Sequence, residues 1–327
     1  MAAPIFPIDE AYLIGGWAES FLWGMCCFTF LLFTTIYAVH VKHKKPFHFT
    51  TIATVIIYLL ASVHMILALV RLIQGLILYR DTIEPVSYFA TIPIPINVVK
   101  DYLYISILVL GDSVVVWRLY AVWGRDLRVA ALPAMLVLTE AVVGLGSPSM
   151  ALVPHARYQT VALWGMLMYI MSLATNILVT ATVVLRIWYV ARRARLAGLG
   201  GVYYRGMLFL VVESGALITI AKVIEFVLFE YVPGDTGSEG LYALYVVYEC
   251  MPQITGIVPT LIVWAVHNGY TLPDESHLNS ATDLAFASMS SLSSDTTAFS
   301  PATTQACWDR TVKPDGTTMR KSEASAV

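Results

Sequence analysis

The sequence predicts an all-α polytopic membrane protein, a seven-transmembrane helix bundle with its N-terminus outside and its C-terminal tail in the cytosol. Three observations predict it. Of the 327 residues, 58% are hydrophobic and only 13% charged, about half the charged share of a soluble domain. Apolar runs of about 20 residues, enough to cross a hydrocarbon core of about 30 Å, recur along the chain. Basic residues gather in alternate loops, which sets the orientation.

Residues 1–16, MAAPIFPIDEAYLIGG, hold no lysine or arginine; the first is Lys42. The basic start of a cleavable signal is therefore missing, and the first span is expected to stay as an anchor. Hydropathy places the spans at about 17–39, 51–74, 98–120, 129–147, 160–188, 206–229 and 242–266, so that residues 17–267 form the bundle. The first has one charged residue, Glu19. The fifth is long enough to tilt or to extend beyond the bilayer. Pro252 and Pro259 should kink or unwind the seventh, freeing carbonyls that need partners inside the bundle. Residues 268–327, with "ATDLAFASMSSLSSDTTAFSPATT", are rich in serine and threonine and too polar to bury a core, so disorder is expected there.

Lys42, Lys44 and Lys45 lie in loop 1, Arg125 and Arg128 in loop 3, and Arg192, Arg193, Arg195 and Arg205 in loop 5. The opposite side has Arg80, Lys100 and Arg157, with Arg71 near the end of span 2. An excess of basic residues marks the cytoplasmic face. Three of the four cysteines lie in apolar spans and Cys307 lies in the tail, which argues against a disulfide framework. The net charge of −2 selects no partner class, and no nucleic acid is expected.

Several motifs carry a resemblance: "LVRLIQG" at 69–75, "LGDSVVVWRLYAVWGRD" at 110–126 followed by Pro133, "TNILVTATVVLRIW" at 175–188, "VVESGAL" at 211–217 and "ITGIVPTLIV" at 254–263. In this order they resemble a large seven-span family of mushroom-forming basidiomycete fungi, over about Glu19 to Gly269. The resemblance implies a multi-pass membrane protein; the expected location is the plasma membrane or an endomembrane. It implies no activity, since the family's members mostly carry none assigned.

Charges inside spans are the candidates for function, because each costs about 2.5–3.5 kcal/mol to insert and such residues usually face a bundle interior. A rise of 1.5 Å per residue gives two levels. Asp112 and Glu213 fall about 10 Å from the cytoplasmic ends, with Asn176 near them in depth and Arg118 at the mouth; these four make an expected inner polar cluster. His64, Lys222, Glu225 and Glu249 fall in the outer half with Glu19, as the expected lining of a ligand cavity, and Glu140 lies near mid-membrane. Lys222 and Glu225, three residues apart, are placed to pair. A purely structural role for all of these groups stays open. "HVKHKKPFH" (His40 to His48) has an H-x-x-H spacing, but positive-inside charge explains it better than a metal site, so neither metal nor cofactor is expected. Trp117, Tyr120 and Trp123 read as an interfacial aromatic belt.

Three functions fit this pattern. A receptor-like sensor is favoured, with a small lipophilic ligand and a cytosolic signalling partner at basic loops 1, 3 and 5. The usual cysteine at the outer end of span 3 is absent, however, and "GIVPTLIVW" lacks the asparagine and tyrosine expected around such a proline. An intramembrane enzyme is the alternative, using a buried carboxyl as general acid on a lipophilic, terpene-like substrate. A transporter is the third, although no inverted repeat is evident.

Overall fold

The computed structural model describes residues 6–40, 48–91, 93–153, 158–196, 202–231 and 242–267. The serine-rich tail expected to be disordered lies outside them. Within them the chain is all-helical. Seven long helices, α1 (Ile8–His40), α2 (His48–Ile73), α4 (Pro95–Val122), α5 (Leu127–Ala151), α6 (Tyr158–Leu196), α7 (Val202–Glu230) and α8 (Leu244–His267), are joined by a short α3 (Pro85–Ala90) after a π-turn at Gln74–Leu78. Five segments are long and apolar enough to cross a membrane: Ile8–Thr35, Phe49–Leu78, Pro95–Val122, Leu127–Ala151 and Gln159–Arg192.

The side-chain distribution is that of a membrane protein. Trp17, Phe21 and Leu127 are 64–74% exposed, whereas Glu19, His64, Glu140 and Glu225 are wholly enclosed. Helices suit that setting because every backbone N–H and C=O is satisfied within the segment. Hydroxyls follow the same logic: Ser20, Ser62, Ser106, Ser113 and Thr139 each donate to the carbonyl four residues back.

Helix ends follow local chemistry. Pro85 and Pro95 open α3 and α4, where a missing N–H costs nothing. Gly124 and Arg125 take positive φ, 64° and 68°, turning the chain sharply after α4. The Asp126 side chain then accepts the Arg128 N–H at 2.9 Å to cap α5.

Three expectations change. Helix α1 starts at Ile8 rather than near residue 17, because Ile8 and Tyr12 pack on Tyr88 and Phe89 of α3; a hydropathy window has no view of such packing. The short α3 itself has no hydropathy signal. Helix α8 runs unbroken through Pro252 and Pro259, so the prolines do not unwind it.

Helix α4 is central, packing on α2, α5, α6 and α8. It approaches α8 closely at Gly111, where an added methyl would strike Thr255. Helix α1 lies along α8, and a methyl added at Gly15 of α1 would lie 3.2 Å from the backbone of Tyr245 and Val246.

Candidate functional site

Two polar clusters and a bridge between them lie on the inward faces of these helices. The first joins α1, α2, α4 and α8. His64 Nδ1 meets Glu19 Oε1 at 2.8 Å, and the Gln253 amide donates to the same oxygen at 3.3 Å and to the Ala61 carbonyl at 3.0 Å. Lys100 donates to Glu249 Oε1 at 2.5 Å. Arg71, 1% exposed, donates to the Phe89 carbonyl at 3.2 Å and lies 4.3 Å over the Tyr12 ring. Such a contact is worth about 2 kcal/mol when desolvated. Beside it on α3, the Tyr88 hydroxyl donates to Gln74 Oε1 at 3.0 Å; burial raises this phenol above its ordinary pKa, against the pull of Arg71.

The bridge runs down α4. Tyr248 donates to Asp101 at 2.7 Å, and Asn97 donates to the other oxygen of Asp101 at 3.3 Å. The Tyr248 ring stacks on Tyr104 with centroids 4.0 Å apart, and the Tyr104 hydroxyl donates to Glu225.

The second cluster joins α4, α5, α6 and α7. Lys222 Nζ reaches both oxygens of Asp112, at 2.6 and 2.8 Å, and Ser172 Oγ at 2.6 Å. Ser172 in turn donates to Asp112 at 2.7 Å. Glu140, fully buried, lies within electrostatic reach of Asp112 and Lys222, and neither of its oxygens has a hydrogen bond of regular geometry. A narrow cleft beside the pair is lined by Asp112, Arg118, Lys222 and Thr255 among others; it has about 320 Å³ of free space counting its mouth, and room for about one water.

The expected groupings are redistributed. Asp112 meets Lys222 and Ser172, while Asn176 donates to Thr219 at 3.1 Å instead. Arg118 shares the cleft with Asp112. Glu213 belongs to α7, but its side chain lies outside the described residues, as does most of the His40–His48 segment. Lys222 does not take Glu225 as its ion-pair partner. The reason is geometric: side chains lean toward their helix's N-terminus, and the antiparallel α4 and α7 lean Asp112 and Lys222 toward each other. Depth counted along Cα positions assigned them to different levels. Of the four groups expected to line an outer cavity, His64, Lys222, Glu225 and Glu249, two border the clefts described here. One cleft, about 180 Å³ and too narrow for a water, touches Glu249 with Tyr12, Arg71, Phe89 and Lys100 among others, and Lys222 borders the other, beside Asp112. The Trp117 ring lies tilted against Phe49 with centroids 5.0 Å apart, and Arg186 lies 4.9 Å over Trp123.

Lys100, Asp101, Tyr104 and Gln253 escaped the sequence reading. Lys100 was counted as a loop charge, yet it is 1% exposed. A signal was present: Asn97, Lys100/Asp101, Tyr104 and Gly111/Asp112 recur at helical spacing on one face of α4.

Glu19, His64 and Glu249 present ligand atoms within 4.8 Å of one another, all buried. The set matches a cation in type, but Lys100 already neutralises Glu249. No family model, curated protein or solved structure matches the chain.

Proposed function

We propose that the protein is a receptor-like, seven-span membrane sensor in which the Asp112–Lys222 pair locks α4 to α7. The pair carries the reading: a buried ion pair between two helices, beside a cleft with Arg118, is an element that a ligand or partner can open. Breaking one partner of such a pair costs about 3–5 kcal/mol, which is the scale of a two-state gap. An external N-terminus and a cytosolic tail suit the charge distribution. With Arg71 and Lys100 buried, the outer side keeps Arg80 and Arg157 as its basic loop residues, against nine lysines and arginines in loops 1, 3 and 5. The motif resemblance to the basidiomycete seven-span family supports the same threading, in the plasma membrane or an endomembrane. A small lipophilic ligand entering from lipid and a cytosolic partner at the basic loops complete the reading. An enzyme would need a substrate chamber joined to Glu140 or Glu225, and the cleft holds about one water.

Pulsed spin-label distances between positions 127 and 217, both exposed, test the lock in lipid nanodiscs. Lys222→Met should add a second distance population. A hexane extract of fungal mycelium should do the same to the otherwise unmodified protein. Unchanged distances in both would remove the sensor reading.

A further inference from the structure

The polar side chains of α4 do not end at the two clusters; Asn97, Asp101, Tyr104, Asp112 and Arg118 recur along the helix as a seam. From Asn97 to Arg118 the seam covers about 30 Å at 1.5 Å per residue, the thickness of a hydrocarbon core. Titratable chains of this kind inside a bundle mark proton paths. We propose that the protein conducts protons across the membrane along this seam, from Asp101 through Tyr104 and Glu225 to Lys222 and Asp112. The proposal is independent of the sensor reading.

Most of the path is built from contacts already described. Two links, Tyr248 to Tyr104 and Glu225 to Lys222, are close approaches without a direct hydrogen bond, each of which a bridging water or a side-chain rotation would close. Asp101 accepts from Tyr248, whose ring lies against Tyr104. Tyr104 donates to Glu225, and Glu225 lies within electrostatic reach of Lys222 one turn away on α7. Lys222 donates to Asp112 and Ser172, and the cleft with Arg118 follows. Only protons move. The Tyr104 O–H proton passes to the Glu225 carboxylate, and the phenol oxygen would be refilled from Asp101 through a bridging water, since the Tyr248 ring only stacks on Tyr104. Glu225 then restores the proton that Lys222 hands to Asp112, and Asp112 releases it to water in the cleft. Each donor is refilled from behind, so the seam returns to its starting state and needs no co-reactant.

Further charged groups flank this route. At the first end Lys100 and Arg71 stand beside Asp101 and Glu249. At the other, Glu140 on α5 faces Asp112, Lys222 and Ser172 with neither oxygen in a hydrogen bond of regular geometry, placed as a second acceptor. Helix α6 contributes Ser172 to the lower cluster and Tyr169 beside Glu225.

Liposomes with purified full-length protein and trapped pyranine, under a valinomycin–potassium potential, give the test. Acidification should be faster than in protein-free vesicles. Tyr104→Phe, which keeps the ring stack and removes the hydroxyl, and Glu225→Gln should return it to the protein-free rate, with unfolding temperature confirming that both variants fold. Asp112→Asn should slow it while Glu140 still accepts. Flux no faster than in empty vesicles, or undiminished in both Tyr104→Phe and Glu225→Gln, overturns the proposal.

Discussion

Asp112 shows how one residue is held at bilayer depth. Its carboxylate takes three hydrogen bonds, two from Lys222 and one from Ser172, so its charge is paired and its lone pairs are mostly used. Asp112→Leu strands the Lys222 ammonium and should destabilise the protein by about 3–5 kcal/mol. Asp112→Asn should cost less, because an amide still accepts from Lys222, and the double variant Asp112→Leu/Lys222→Met should recover most of the loss. Thermal unfolding in one detergent checks this; equal loss in the double variant would mean the pair adds nothing beyond packing. That Asp112 needs a partner was legible in the sequence, since a charge inside an apolar run has few alternatives. Which partner was not, because Lys222 and Asp112 meet through the lean and length of their side chains.

At the level of elements, the long helices were legible because each announces itself as an apolar run. Their ends were not: α1 reaches back to Ile8 only because α3 packs on it. Helix α3 has six residues and no amphipathic signal, and Phe89 secures it, 2% exposed and stacked on Tyr12 at 5.1 Å. Phe89→Ala should cost about 3–5 kcal/mol and loosen α1, seen as faster hydrogen exchange at residues 8–16 than at 20–35. The α4–α8 approach gives a second test. Gly111→Val places a branched side chain against Thr255 and should lower stability by about 1–3 kcal/mol, with Thr255→Ala partly relieving it.

For the whole molecule, buried charge and exposed apolar surface invert the distribution of a soluble protein, and composition alone was enough to foresee that. The threading is tested directly. A reporter fused after Val327 should be protected in sealed cells, and an epitope before Tyr12 accessible from outside or from a vesicle lumen; the opposite pattern would reverse the proposed orientation. The polar seam was half legible, as a periodicity on α4. Its completion needs Glu225, Lys222 and Tyr248, which lie more than 100 residues away in sequence and share no local pattern with α4.

The Gln253 amide, which closes the first cluster by gripping both Glu19 and the Ala61 carbonyl, lies 234 residues after Glu19. A ribosome adding about 5–20 residues per second takes about 10–50 s to cover that stretch. The newborn first helix must therefore wait in the membrane with a carboxyl whose first partner is His64, 45 residues on, joined later by the charge of Lys100. Biosynthesis thus has an early hairpin and a late clasp. A nascent chain cut short before α8 should be held by an insertion chaperone or degraded, and its half-life in pulse–chase would record how long the half-built bundle survives without its final helix.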